Sequence, residues 1–261
     1  MEKQGVVYCA TGSGAYLEAA LISAIALRNL EPELPITIIS EHQALPTRSL
    51  AHYGIDTRWL TSEELPAEPM PFLSRYLKTR LFQLSPYVET LLLDADILPH
   101  QPVRQLWQAL DQGDMAMVPD RLPTVALCDH VAAAEKTYTL GQVPPTATQY
   151  NSGVLLWRRT EAMAQLFDHW HREWLRFGQQ DQLALVRSLH HRQMPVVELP
   201  RSYNISPIDS APLLAAGGRI HLMHCWGGMV ASGEFRQIAL GHCPRAVQTV
   251  QRMLGTGKLA G

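Results

Sequence analysis

The chain has 261 residues, of which 46% are hydrophobic and 18% charged, and its formal net charge is -2. A chain of this length can bury about three quarters of its unfolded surface in one core. So even a balance lacks the broad positive field that nucleic acid or an anionic membrane surface would require. Cys9, Cys128, Cys225 and Cys243 lie far apart without a CxxC, which reads as reduced thiols rather than a disulfide framework.

The N-terminus runs from Met1 straight into Val6-Val7-Tyr8, without a basic n-region or a long apolar h-region. The most apolar stretch, 19–27, is bounded by Glu18 and Arg28 and is too short to span a bilayer. The expectation is a cytoplasmic protein with no membrane span. Val6 to Cys9 reads as a strand, followed by Thr11-Gly12-Ser13-Gly14. A helix comes next, with one apolar face made by Tyr16, Leu17, Ala20, Leu21, Ala24 and Leu27. Pro32 and Pro35 end it before a second strand at 36–40.

The prolines at 66, 69 and 71 mark a loop, and Leu73, Leu77, Leu81 and Leu84 then predict one helix closed by Pro86. Val88 to Asp94 is a buried strand, with later strands at 115–118 and 152–157. The proline-bearing segment 119–150 between those two is the best candidate for an irregular insertion. Amphipathic helices are expected over 161–177 and 181–190, a strand over 219–223, and helical periodicity at Val247, Val250 and Leu254 before a glycine-rich end. Strands alternating with crossover helices define an α/β fold.

Asp94-Ala95-Asp96 is the most informative local feature. At the carboxyl end of a strand, a period of two would send both carboxylates to one side and Ala95 to the other. Open α/β sheets bind ligands at that end. A divalent cation would relieve the repulsion between the acids, whereas two solvated acids at a strand end are the plain alternative. Arg75 and Lys78, three apart on the preceding helix, would suit a phosphate-bearing ligand or simply a solvated face. The turn 11–14 places backbone N–H groups at a helix start, where phosphate or ribose oxygens bind, but it is not GxGxxG. His221 and His224 fall on opposite strand faces, so one of them at most would join a common site, and His221 reads as structural.

In this order the blocks resemble the family 8 glycosyltransferases, retaining enzymes of the GT-A fold that include glycogenin and bacterial lipopolysaccharide galactosyl- and glucosyltransferases. The blocks are Val7-Tyr8-Cys9-Ala10-Thr11 with Tyr16, Tyr76 to Leu81, Leu92 to Leu98, Tyr150 to Leu156 around Asn-Ser-Gly, Asp181-Gln182, and His224-Cys225-Trp226-Gly227. Together they extend over roughly residues 5–228. The resemblance implies one domain over 1–261 with a Rossmann-like mixed sheet flanked by helices. Within it would lie a nucleotide-sugar-binding half (5–100), an acceptor and catalytic half (101–228) and a tail (229–261).

It further implies Mn²⁺ or Mg²⁺ on Asp94, Asp96 and His224, and a UDP-sugar donor on Ala10, Thr11, Tyr16, Arg75, Lys78, Asp94 and Ala95. Asp120, Asn151, Asp181 and Gln182 would surround the transferring carbon, and the acceptor would be a glycan, lipid or protein. One position departs from the pattern: a late lysine that contacts donor phosphate in glycogenin-like members is Val230 here, with Arg75 or Arg236 as possible substitutes. Two alternatives stay open. One is a non-catalytic nucleotide-sugar binder of the same fold. The other is a haloacid-dehalogenase-like phosphatase using Asp94 and Asp96, whose DxD would normally open the domain and be joined by a later Asp-Asp pair that this sequence lacks.

Overall fold

A computed structural model of the chain describes residues 2–41 and 45–255. The glycine-rich end expected in the tail lies, from residue 256 onward, outside the described residues. In chain order the elements are β1 (Glu2–Ala10), α1 (Gly14–Leu30), β2 (Ile36–Ser40), α2 (Thr47–His52), β3 (Ile55–Trp59), α3 (Leu73–Lys78), α4 (Leu81–Leu84) and β4 (Tyr87–Leu93). There follow β5 (Ile97–Pro99), β6 (Met115–Thr124), α5 (Ala133–Leu140), β7 (Thr148–Arg158), α6 (Glu161–Leu175), α7 (Gln182–Arg192) and β8 (Val197–Glu198). The last are α8 (Pro207–Ala215), β9 (Leu222–His224), α9 (Met229–Ser232), α10 (Glu234–His242) and α11 (Pro244–Met253).

Seven strands form one mixed sheet in the order β3-β2-β1-β4-β7-β6-β8, and β5 pairs with β9 in a small ribbon. β1 to β4 are mutually parallel, while β7 runs antiparallel to both of its neighbours, β4 and β6. The strand order reverses between β1 and β4, and open α/β sheets bind ligands at the carboxyl ends of the strands at such a point. Strand alternation divides the core. Val6, Tyr8, Leu91 and Leu93 face α1 and α11, whereas Val7, Leu92, Met117 and Leu155 face α4, α6 and α7. All five residues of β2 are buried, as central parallel strands covered on both faces require.

Several expectations are corrected. α1 is not one-faced: Ala19, Ala20, Ser23, Ala24 and Ala26 are as buried as its leucines, because the C-terminal helices cover the side turned away from the sheet. The leucine series at 73–84 is two helices, broken at Thr79. Its hydroxyl donates back to the Tyr76 carbonyl (2.9 Å) and pairs with His171 Nδ1 (2.8 Å), so a local side-chain bond competes with the helix. The 119–150 segment is not an irregular insertion, since β6 runs on to Thr124 and α5 follows. The long amphipathic helix stops at Leu175. The late strand starts at Leu222 and carries His224 within it.

His100, just after β5, sets its ring against His242 of α10, with centroids 4.6 Å apart, and its Nε2 is buried without a hydrogen-bond partner among the described residues. Burial, with His242 beside it, lowers its pKa to about 4. The folded value lies below the unfolded one, so this contribution to stability is complete above about pH 6.5 and disappears as pH falls toward 4. Unfolding free energies from urea titrations are expected to be higher at pH 7 than at pH 5 by on the order of 1–2 kcal/mol after solvent screening. The difference is expected to shrink in His100→Phe; an unchanged difference would assign the pH dependence to other groups.

Candidate metal and donor site

β4 ends at Leu93, and Asp94-Ala95-Asp96 forms the turn into β5, closed by Ile97 N–H donating to the Asp94 carbonyl at 3.1 Å. The expected strand alternation is therefore not what aligns the two acids. The turn aligns them, and Ala95 packs against the core on the α1 side. The ribbon β5–β9 pairs Ile97 with His224, and Cys225 N–H donates to the Asp96 carbonyl at 2.9 Å. This brings His224 Nε2 to 3.2 Å from Asp96 Oδ1. One ligand atom from each of Asp94, Asp96 and His224 lies within 4.8 Å of the others.

His224 is fixed from behind. Its Nδ1–H donates to Asn204 Oδ1 (2.8 Å), and Asn204 Nδ2 donates to Asn151 Oδ1 (3.0 Å). That pattern commits Nε2 to face the acids, as second-sphere bonds to metal-binding imidazoles do. Gly153 permits the packing: a Cβ there would sit 2.3 Å from the imidazole ring. Gly153 lies in a bulge, since Met117 pairs with Leu155 but Val118 with Asn151. The bulge re-aims residues 151–153, and the freed Gly153 carbonyl accepts Asp94 N–H at 2.9 Å.

Lys78, at the end of α3, is buried and donates to Asp94 Oδ2 (2.8 Å) and Ser152 Oγ (3.3 Å). Ser152 in turn donates to Asp181 Oδ2 at 2.5 Å. Asp181 occupies the N-cap position of α7 without a side-chain capping bond, which leaves its carboxylate for the site. Trp170 Nε1 donates to its carbonyl (2.9 Å) and Trp174 Nε1 to that of Gln179 (3.1 Å), holding the α6–α7 loop.

Burial pushes the Asp181 carboxyl upward, but Lys78 and the Ser152 bond outweigh it and hold the group below its usual value. Burial likewise works against the charge of Asp96, yet His224 leaves it lowered. Asp94 is raised, by burial first and by Asp96 as well, against the pull of Lys78. Burial disfavours the Lys78 ammonium, but Asp181 and Asp94 together raise its pKa.

The remaining expected residues surround this centre. Asp120 accepts Leu122 N–H (2.9 Å) and Asn151 Nδ2 (3.3 Å), and Gln182 donates to Gln149 Oε1 (3.0 Å). Arg75 reaches Gln180 at 3.4 Å and acts electrostatically on both Lys78 and Asp181. Arg236 instead pairs with Glu18 at 3.5 Å, and Val230 is a buried core residue. His221 stands apart from the acids, stacked on Tyr203 with ring centroids 4.2 Å apart.

At the end of β1, Ala10 accepts a bond from Ser40 Oγ (2.6 Å) and Tyr16 sits half-buried on the first turn of α1. Thr11 Oγ1 is buried with no hydrogen-bond partner among the described residues. Glu41, after β2, accepts Gly12 N–H at 3.0 Å through Oε1, while its Oε2 is also buried and unpartnered. Gly12 has φ of 87°, a conformation that favours glycine. Glu41, Ser152 and Asn204 are site residues that the sequence reading gives no role. Ser152 lies inside the Asn-Ser-Gly block, but nothing in the local sequence marks Glu41 or Asn204.

No protein-family profile and no curated protein matches the sequence. Solved structures do. The chain is similar to the galactosyltransferase LgtC, solved in complex with donor and acceptor sugar analogs (TM-score 0.61, 15% identity, 92% of this chain and 96% of that one). It is also similar to mouse xyloside xylosyltransferase 1 (TM-score 0.56, 14% identity, 85% and 97%) and to the glycosyltransferase GlyE of Streptococcus pneumoniae (TM-score 0.60, 14% identity, 97% and 63%). The chain thus spans somewhat less than two thirds of GlyE. Its fold is that of these GT-A glycosyltransferases.

Gly153→Ala tests the close packing at the centre. The added methyl must displace the His224 ring, and a loss of about 1–3 kcal/mol in chemical denaturation is expected, as for an overpacked core. Unchanged stability would mean that the imidazole moves aside freely.

Proposed function

We propose that this chain is a divalent-metal-dependent, retaining hexosyltransferase. It moves a sugar from a nucleoside diphosphate, uridine first among the bases, to a glycan, lipid or protein acceptor, and it acts as one domain in the cytoplasm. The observation that carries this reading is the Asp94, Asp96 and His224 cluster at the switch point of a glycosyltransferase fold. Four free thiols suit a reducing compartment, and among the described residues no helix is long and apolar enough to cross a membrane.

The donor set fits a divalent ion: two carboxylates and an imidazole whose Nδ1–H is already engaged by Asn204. Mixed oxygen and nitrogen ligation suits Mn²⁺ better than Ca²⁺, with Mg²⁺ as the other candidate. When bound there, the ion supplies positive charge against the negative charge that develops on the departing diphosphate.

The chain's own groups account for the rest. Thr11 and Glu41 hold buried polar atoms without a partner among the described residues, and a carboxylate oxygen suits the imide N–H of uracil. Tyr16 offers a ring to the base, and Ala10 a small floor beside it. Lys78 with Arg75 places cations at the phosphates, replacing the lysine that the sequence lacks at Val230. Asp181 is kept ionised and oriented by Ser152, so it presents negative charge to the transferring carbon as positive charge builds there. Gln182, Asn151 and Asp120 orient the sugar through hydrogen bonds. The phosphatase alternative loses its footing in the fold, because the DxD follows the fourth strand rather than the first.

A panel of sugar nucleotides is expected to show Mn²⁺-dependent release of nucleoside diphosphate, cut at least about 100-fold in Asp96→Ala. Metal-independent release, or none with uridine, guanosine and adenosine donors, would sink the reading. In metal titrations His224→Ala is expected to weaken Mn²⁺ binding about 10–100-fold and His221→Ala about twofold at most; equal losses would remove His224 from the site. Asp181→Asn is expected to lower the transfer rate with donor and metal affinity held within about threefold, and a collapse of donor affinity would recast it as a binding residue.

A further inference from the structure

A small polar recess, with room for a water-sized group, adjoins the site. Arg121, Arg201, Asn151, Asn204, Asp209 and Trp226 line it. Asn204 is the residue that accepts from His224 Nδ1, so the recess shares a wall with the group that fixes the imidazole from behind. Pro119, next to Asp120, also borders it, so it is contiguous with the groups proposed to orient the sugar.

Its charges are unevenly paired. Asp209 is already engaged, accepting from Ser206 Oγ (2.8 Å) and pairing with Arg121 (3.4 Å). Arg201, on the turn Arg201–Tyr203, is exposed, and its guanidinium has no ion pair or hydrogen bond among the described residues. Among the lining side chains two cations stand against one anion, and with Asp120 behind Asn151 adding a second carboxylate, Arg201 is the cation left without an anion partner among the described residues, beside a half-buried indole. Trp226 stands edge-on to His224, with ring centroids 5.0 Å apart, and offers an apolar surface of the kind on which sugar rings rest.

We propose that the acceptor is a saccharide bearing an anionic substituent, a carboxylate or a phosphate, read by Arg201 with Arg121 while its ring lies against Trp226. Guanidinium groups recognise such oxyanions through charge-assisted, directional bonds. The inference rests on the transfer reading above and adds the acceptor's class to it. The chemistry is unchanged: the bond from the anomeric carbon to the diphosphate oxygen breaks and a bond to the acceptor hydroxyl oxygen forms. The hydroxyl proton leaves with the departing phosphate.

The test compares matched acceptors with the wild-type protein, Mn²⁺ and whichever sugar nucleotide it hydrolyses: methyl glucuronide against methyl glucoside, and methyl galactoside 6-phosphate against methyl galactoside. The acidic member is expected to show about a tenfold lower KM at low salt, narrowing to about twofold in Arg201→Gln and largely kept in Arg201→Lys. Equal KM values in the wild type, or a gap untouched by Arg201→Gln, would overturn the proposal. So would a preference that follows the charge of the donor sugar, UDP-glucuronate over UDP-glucose, instead of the acceptor. If the wild type hydrolyses no sugar nucleotide, the transfer reading has failed, and the recess is then read by binding alone. Saturable quenching of tryptophan fluorescence by methyl glucuronide but not methyl glucoside, lost in Trp226→Phe and in Arg201→Gln, supports the anion site, and its absence rejects it.

Discussion

The ammonium of Lys78 stands between two buried carboxylates, Asp94 and Asp181, and offsets the charge of both. It bonds Asp94 directly and meets Asp181 through the Ser152 hydroxyl. Removing one partner of such a buried group costs about 3–5 kcal/mol, because the other charge is left uncompensated. The surrounding architecture follows from that requirement. α3 must end at Lys78, β4 must end one residue before Asp94, and β7 must bulge so that Ser152 turns toward them.

A second chain of contacts holds the other half of the site. Asp120, Asn151, Asn204, His224 and Asp96 are linked in succession by hydrogen bonds and the final ion pair. Each asparagine amide is used at both ends, which fixes its orientation and that of the imidazole beyond it. The two networks meet at Gly153, whose carbonyl accepts Asp94 N–H and whose missing side chain leaves room for His224. The candidate metal ligands, the cation and the carboxylates are thereby preorganised on the ends of rigid strands and helices, where positioning is tightest.

The order of strands and helices was legible because hydrophobic periodicity is strong where a strand or helix is buried, as in β2, β4 and α6. It failed where burial itself came from elsewhere in the chain. α1 has small residues on the side that α11 covers, so its pattern understated how deeply it lies. The extension of β6 was hidden by Pro119 and Pro123, which β6 tolerates through the register shift between Pro119 and Thr124. Short elements such as β5 and β8 carry too few residues for any periodicity to register.

The same division applies to the site. Asp94 and Asp96 stand out in the chain as a pair of acids after a buried strand, whereas Lys78, Asp181 and His224 enter the candidate site through the resemblance of short, ordered blocks, and the fold brings all five together. Glu41, Asn204 and Arg201 enter by neither route, since nothing in the residues around them distinguishes them from solvated side chains of a loop. The sequence by itself determined an α/β chain with an acidic turn after a buried strand, a basic residue before it and a late histidine. Only the tertiary structure decided that a turn rather than strand alternation aligns the two acids, that Gly153 admits the imidazole, and that Arg201, unpaired among the described residues, borders the recess. Those outcomes depend on contacts between residues distant in the chain, and local propensity carries no information about which distant groups will share one buried space.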